Sequence, residues 1–155
     1  MPTIQSTIIE VALFRFDNKE PLYLMLKRSR HESLYPNAWQ IVTGSIESGE
    51  TAVQGALREV KEETGYVPQR FWVVPHVNTF YAVKNDIIHH TVVFAGQVAP
   101  GSDPVLSEEH EEFGWYPLEK AKAMCVWPGQ VTSLQIVHDY IVSGKKSAEF
   151  SEIFL

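Results

Sequence analysis

Three glutamates near the middle of the chain are the side chains best suited to chemistry. Glu59, Glu62 and Glu63 are spaced so that, on a helix turning by about 100° per residue, they share one flank. Like charges at this spacing destabilise an isolated helix by about 0.2–0.5 kcal/mol per pair. A solvated acidic face and a hard-cation site are the two interpretations of such a cluster, and carboxylate oxygens are the ligands that Mg²⁺ and Mn²⁺ prefer.

The segment that carries the glutamates has the signals of a well-defined helix from Thr51 to Thr64. Thr51 and Gln54 match a capping box, and Gly65 stands where a left-handed C-terminal cap is needed. Apolar residues recur along one stripe at Val53, Ala56, Leu57 and Val60. The pattern predicts a helix that packs on the core and carries the glutamates along its flank.

A longer pattern decides between the two interpretations. From Gly44 to Tyr66 the chain reads GSIESGETAVQGALREVKEETGY, with Glu50 in the loop and Arg58 directly before Glu59. This pattern resembles the Nudix box, the signature of the Nudix hydrolase family, and all seven fixed residues of the box are present. Taking each as about 6% common, a chance match is on the order of one in ten million. Tyr66 replaces the usual aliphatic residue at a packing position.

The resemblance implies a role for each residue of the motif. In the family the loop and helix bind a divalent metal, here Mg²⁺ with Mn²⁺ as an alternative. The implied ligands are the Gly44 carbonyl and the carboxylates of Glu59, Glu62, Glu63 and Glu109. Arg58 and Glu50 would orient the glutamates, and Glu63 or Glu109 would deprotonate the attacking water.

The chain also resembles the bacterial dATP pyrophosphohydrolases, a group that includes dihydroneopterin triphosphate pyrophosphatase, closely inside the box and more loosely outside it. The similarity lies in residues 39–52, in residues 24–28 and in the pair Glu109-His110. By this analogy Arg28 and Thr43 would contact the phosphate or base of the substrate. A guanidinium group suits this role because a net-negative protein needs a local cation to bind a triphosphate.

The family resemblance also implies a fold and a reaction. The expected fold class is α/β, a Nudix α/β/α sandwich with a mixed curved sheet, and residues 1–155 are expected to form a single domain. The expected reaction is Mg²⁺-dependent hydrolysis of a diphosphate bond in a nucleoside or pterin triphosphate, releasing pyrophosphate and a monophosphate. Alternatives are a hydrolase of oxidised nucleotides such as 8-oxo-dGTP, of nucleotide sugars or of dinucleoside polyphosphates, and a catalytically silent nucleotide sensor.

Composition argues against two classes of partner. The chain has 13 Lys and Arg against 19 Asp and Glu, a formal charge of −6, which argues against nucleic acid and membrane surfaces. Cys125 is the single cysteine, so no intrachain disulfide can form. We expect a cytoplasmic enzyme with a nucleotide substrate, and the sequence is compatible with a homodimer as well as with a monomer.

Runs rich in β-branched and aromatic residues predict the strands that position the loop after Gly44 and the helix from Thr51 to Thr64. The predicted strands lie at residues 7–16, 22–26, 39–42, 70–83, 86–98 and 112–116. A short helix is expected after Pro117 and a longer one from Val131 to Ser143, with frayed residues from 147 onward. Four aromatic residues could stack on a purine or pterin ring, namely Trp72, Phe80, Tyr81 and Trp127.

Overall fold

The computed structural model describes residues 1–155, which form nine strands and four α-helices. The strands are β1 (Thr3–Gln5), β2 (Ile8–Asp17), β3 (Glu20–Arg28), β4 (Trp39–Gln40), β5 (Val42–Ser45), β6 (Arg70–Ala82), β7 (Ile87–Gln97), β8 (His110–Tyr116) and β9 (Glu152–Ile153). The α-helices are α1 (Ala52–Thr64), α2 (Leu118–Met124), α3 (Pro128–Ile136) and α4 (Lys146–Ser151). None of these helices has the length and apolar character needed to cross a bilayer.

All nine strands belong to one mixed sheet. Its main path runs β4-β3-β2-β7-β6-β9, while β5, β1 and β8 pair beside β2, β7 and β3. β1 and β2 run parallel to β7, and the remaining pairings are antiparallel. Because β2 and β7 run parallel, the chain between them must cross over, and this connection contains α1 and β6. The predicted α/β fold with a mixed sheet is confirmed.

The sheet has a hydrophobic core on each face, because side chains alternate along the strands. Along β2, Ile9, Val11 and Leu13 pack with Ala56 and Val60 of α1. The opposite face is covered by α2, α3 and α4, whose apolar residues pack against Ala12 and Phe14. The helices therefore flank the sheet on both sides. On the face covered by α1, no other α-helix contributes to the core.

Helix α1 has the ends that the sequence predicts. The Thr51 hydroxyl accepts a hydrogen bond from the Gln54 N–H, and the Gln54 side chain accepts one from the Thr51 N–H. Gly65 has φ 76°, in the left-handed region where glycine carries no steric penalty. The prediction of this helix is confirmed.

The C-terminal part differs from the sequence expectations in two ways. The helix expected from Val131 begins at Pro128, because proline suits the first turn of a helix, and it continues as a π-helix over Val137–Val142. The tail after residue 147 is ordered: it forms α4, whose Ala148 is buried, and β9, which pairs with β6. Pro128 is a local signal for the earlier start, whereas the order of the tail depends on the pairing of β9 with β6.

Candidate metal and ligand site

Glu63 is the most unusual residue of the acidic cluster because it is buried. Its side chain is 2% exposed, and neither carboxylate oxygen has a hydrogen-bond partner. Ligand atoms of Glu63, Glu109 and His110 all lie within 4.8 Å of one another. Burial, together with the negative charges of Glu59 and Glu109, raises the pKa of Glu63 to about 9. Three elements, namely α1, the loop before β8 and the first residue of β8, thus converge on one point.

Glu59 lies beside the glycine that precedes the loop. A Cβ built on Gly44 would fall 2.2 Å from the Cδ atom of Glu59, so the absence of a side chain leaves room for this carboxylate. Glu59 is largely buried, and this burial raises its pKa against the opposing effect of Arg58. The structure therefore shows why a glycine is needed at the end of β5.

Arg58 ties the loop to the helix. Its guanidinium group donates to both Glu50 oxygens, over 2.6 and 3.0 Å, and to the Ser45 carbonyl over 2.8 Å. It also donates to Glu59 over 3.0 Å and to Glu62 over 3.2 Å. These contacts raise the pKa of Arg58 and lower that of Glu50, so both groups stay charged. Arg58 and Glu50 thus form a fixed charged pair beside the glutamates.

The six acidic or glycine positions predicted for the site are not equivalent. Gly44, Glu59, Glu63 and Glu109 surround the buried point, whereas Glu62 has a side chain 57% exposed and contacts Arg58 at the rim. Glu50 is engaged by Arg58 and lies behind the cluster. The structure thus brings most of the predicted residues together and places Glu62 at the solvent edge.

The residues around Glu63 suit a hard divalent cation. Two buried oxygens without a partner are costly unless a proton or a cation compensates them. Neighbouring carboxylates and a backbone carbonyl are oxygen donors of the kind that Mg²⁺ accepts, with remaining positions left for water or phosphate. The donor set is therefore consistent with Mg²⁺ or Mn²⁺.

A cleft of about 880 Å³ lies next to the acidic cluster. Its lining includes both residues predicted to contact substrate, Arg28 and Thr43. The Arg28 guanidinium donates to the Leu34 carbonyl over 2.8 Å and, by its charge, opposes the rise in the pKa of Glu63. Gln40 also lines the cleft, and its Nε2 atom lies 3.0 Å from Nε2 of His110. The cleft and the acidic cluster are therefore adjacent.

Aromatic side chains form much of the cleft wall. Trp127 and Tyr35 meet edge to face with their ring centroids 4.8 Å apart, and Phe80 and Tyr81 lie on the β6 side. Trp72 does not take part, because it is buried in the core between the sheet and α4. Of the four aromatic residues singled out in the sequence, three line the cleft.

Two residues of this region escape sequence reasoning. His110 enters the sequence argument only through the pair Glu109-His110 and has no role assigned there. Burial and the charge of Arg28 lower its pKa to about 4, which keeps it neutral beside Glu63. Glu10 is 3% exposed and lines the cleft. The available signal for Glu10 was a carboxylate inside the apolar run TIIEVALF.

Comparisons with known proteins find a matching family model and curated relatives. A family model described as the NUDIX domain matches residues 7–135. Dihydroneopterin triphosphate diphosphatase of Escherichia coli (strain K12) is 51% identical over 55 residues, which are 36% of this chain and 33% of that protein. The chain spans about a third of the length of that relative and of a second curated protein that it matches.

Solved structures share the fold. The Ap4A hydrolase of C. elegans in a binary complex has a TM-score of 0.76 at 19% identity, with 90% of this chain and 99% of that chain covered. The dihydroneopterin triphosphate pyrophosphohydrolase of E. coli has a TM-score of 0.72 at 24% identity, with 93% and 100% covered. At these identities the likeness establishes the architecture.

Proposed function

Because the chain belongs to the NUDIX domain family, we propose that it is a Mg²⁺-dependent pyrophosphohydrolase of a nucleoside or pterin triphosphate. The products would be pyrophosphate and a monophosphate. The observation that carries the proposal is the buried carboxylate of Glu63, unpaired at both oxygens and within 4.8 Å of Glu109 and His110. Such a group is expensive to keep unless it serves binding or catalysis.

The cation would be held by the Gly44 carbonyl and by Glu59, Glu63 and Glu109, with Glu62 at the rim. When bound, it would neutralise charge on the phosphate oxygens and favour ionisation of the attacking water. Mn²⁺ has similar ligand preferences and is the expected substitute. The same residues would account for a dependence of activity on the divalent ion.

The side chains divide the remaining tasks. Arg58 fixes Glu59 through its contacts with Glu50 and the loop, so the carboxylates need little reordering before the reaction. Glu63 or Glu109 would take the proton of the attacking water, since both lie at the point where the elements converge. Arg28 would bind a phosphate oxygen from the cleft side.

The cleft supports a substrate with a planar ring. Its volume is within the range of small-molecule sites, and its aromatic wall offers faces on which a purine or pterin could stack. The relative with 51% identity over 55 residues is named for a pterin triphosphate, which favours this class. One sheet with a core on each face supports a single domain over residues 1–155.

The test is pyrophosphate release in the presence of Mg²⁺ on a panel of triphosphates and other diphosphates. The panel comprises the four dNTPs, 8-oxo-dGTP, dihydroneopterin triphosphate, ADP-ribose, a nucleotide sugar and diadenosine tetraphosphate. Glu63→Gln should lower kcat by at least about 100-fold, while Glu20→Gln, which changes an exposed carboxylate at the start of β3, should match the wild type.

Each class of outcome has a distinct reading. Pyrophosphate with a monophosphate supports the proposal, and a preference for 8-oxo-dGTP would assign the clearing of oxidised nucleotides. Turnover confined to ADP-ribose, the nucleotide sugar or the dinucleotide, without release of pyrophosphate, would contradict the triphosphate assignment. Binding without metal-dependent turnover on any compound would indicate a nucleotide sensor.

A further inference from the structure

The floor of the cleft contains a carboxylate that the proposed reaction does not use. Glu10 lies on β2, on the same face of the sheet as Ala12 and Phe14, so it faces α3 rather than α1. Its register partner on β5 is Thr43, which also lines the cleft. Glu10 is thus separated from the acidic cluster and belongs to the ligand side of the molecule.

The hydrogen bonding of Glu10 is incomplete. Asn78 Nδ2 donates to its Oε1 atom over 3.0 Å, while the buried Oε2 atom has no partner. No lysine, arginine or histidine forms an ion pair with Glu10. Burial raises the pKa of this carboxyl group, and the hydrogen bond from Asn78 opposes the rise. An apolar side chain in the same place would avoid this cost.

Two hydrogen bonds to protein groups hold the amide of Gln130 beside Glu10. Gln130 Oε1 accepts from the Ile41 N–H over 3.3 Å, and its Nε2 donates to the Thr43 hydroxyl over 3.2 Å. Gly129 permits the close approach of Asn78, because a Cβ there would lie 2.1 Å from Asn78 Oδ1. The unsatisfied group on the floor is therefore a hydrogen-bond acceptor, and the ligand that fits it presents donors.

We infer that Glu10 determines the specificity of the cleft by accepting hydrogen bonds from a ring edge with two adjacent N–H donors. The 2-amino-4-oxopyrimidine ring shared by guanine and pterin has such an edge, with a ring N–H beside an exocyclic amine. Adenine offers one donor next to an acceptor nitrogen, which faces a carboxylate lone pair unfavourably. The inference rests on the proposed function and narrows its substrate class to guanine-like and pterin-like rings.

The experiment compares the binding of GMP, IMP and AMP by calorimetry with Mg²⁺ present. The three compounds share the phosphate and the ribose, so differences in affinity report the ring edge, and GMP differs from IMP only by the 2-amino group. GMP should bind about 10-fold more tightly than IMP or AMP, as expected for one additional hydrogen bond to a charged acceptor. In Glu10→Gln the ratio of GMP to IMP affinity should fall to about 2-fold or less.

Two further variants sharpen the comparison. Glu20→Gln makes the same chemical change at an exposed site and should keep the wild-type ratio. Gly129→Ala should displace Asn78 and lower the ratio while leaving Glu10 in the chain. If Glu10→Gln does not fold, the wild-type ratio and the Gly129→Ala ratio decide the question.

Equal binding of GMP and IMP, tighter binding of AMP, or an unchanged ratio in Glu10→Gln would overturn the inference. Because GMP, IMP and AMP are monophosphates, their binding is measured independently of the proposed hydrolysis of triphosphates. A preference for GMP without pyrophosphate release from any triphosphate would overturn the proposed hydrolysis and leave the role of Glu10 standing. Turnover of dGTP and dITP at equal kcat/KM would support the proposed hydrolysis and overturn the role of Glu10.

Discussion

Replacing Glu63 by glutamine should change how the stability of the metal-free protein depends on pH. Burial raises the pKa of Glu63 from 4.5 to about 9, so between these values the folded protein holds a proton that the unfolded chain has released. The free energy of unfolding then falls as pH rises, because the folded state binds more protons. Glutamine has the same shape and does not titrate, so this contribution disappears in the variant.

The size of the effect follows from the pKa. One group that is protonated only in the folded state changes the free energy of unfolding by about 1.4 kcal/mol per pH unit. Between pH 5.5 and 8.0, an interval inside the window from 4.5 to about 9, the wild type should lose about 3 kcal/mol relative to Glu63→Gln. Histidines and other carboxylates titrate in both proteins, so the difference between the two curves isolates Glu63.

The assay is urea unfolding of both proteins at several pH values, first in the presence of a chelator and then with Mg²⁺. Mg²⁺ should stabilise the wild type more at pH 8.0 than at pH 5.5, because the cation binds the ionised carboxylate, and it should have little effect on the variant. A free-energy difference between the proteins that stays constant from pH 5.5 to 8.0 would refute the reasoning. Glu63 would then be ionised in the folded protein without a cation.

Three other changes test the surroundings of the site and the ordered tail. Gly44→Ala should weaken Mg²⁺ binding about 10-fold in calorimetry, because the new Cβ would occupy the space of the Glu59 carboxylate, and unchanged affinity would contradict the role given to this glycine. Arg58→Lys should lower kcat by about 10- to 100-fold in the pyrophosphate assay, since an ammonium group cannot reproduce the forked contacts, whereas an equally active variant would show that these contacts are dispensable. Ala148→Asp should lower the free energy of unfolding in urea by about 2–4 kcal/mol because it buries a carboxylate, and a change below about 0.5 kcal/mol would mean that the tail is not packed.

Much of α1 and its loop could be predicted because the signals are local. The capping pair Thr51 and Gln54 and the C-terminal Gly65 depend on neighbours within a few residues, and they lie in the structure as the sequence indicated. Helix spacing predicts that Glu59, Glu62 and Glu63 share one flank, and the resemblance to the Nudix box implies that Gly44 lies beside them. The roles of the individual glutamates in metal binding and proton transfer stay predictions.

The remaining features depend on contacts between residues distant in sequence. His110 lies at the start of β8, which pairs with β3, and its place in the sequence does not show that it lies near Glu63. Glu10 meets Asn78 across 68 positions of the chain. The tail is ordered by β6, to which Ile153 and Glu152 pair. The hydrophobic pattern within each of these segments does not show which distant residues it will contact.

The two faces of the sheet separate the chemistry from the choice of ligand. The glutamates of α1 belong to one face, and Glu10 and the α3 side of the cleft belong to the other. During evolution, substitutions on the α3 face can therefore alter the preferred ring without disturbing the helix that carries the acidic cluster. Arg28 and Gln40 adjoin both regions, so a substitution at either residue would alter the surroundings of the acidic cluster and of the ligand together.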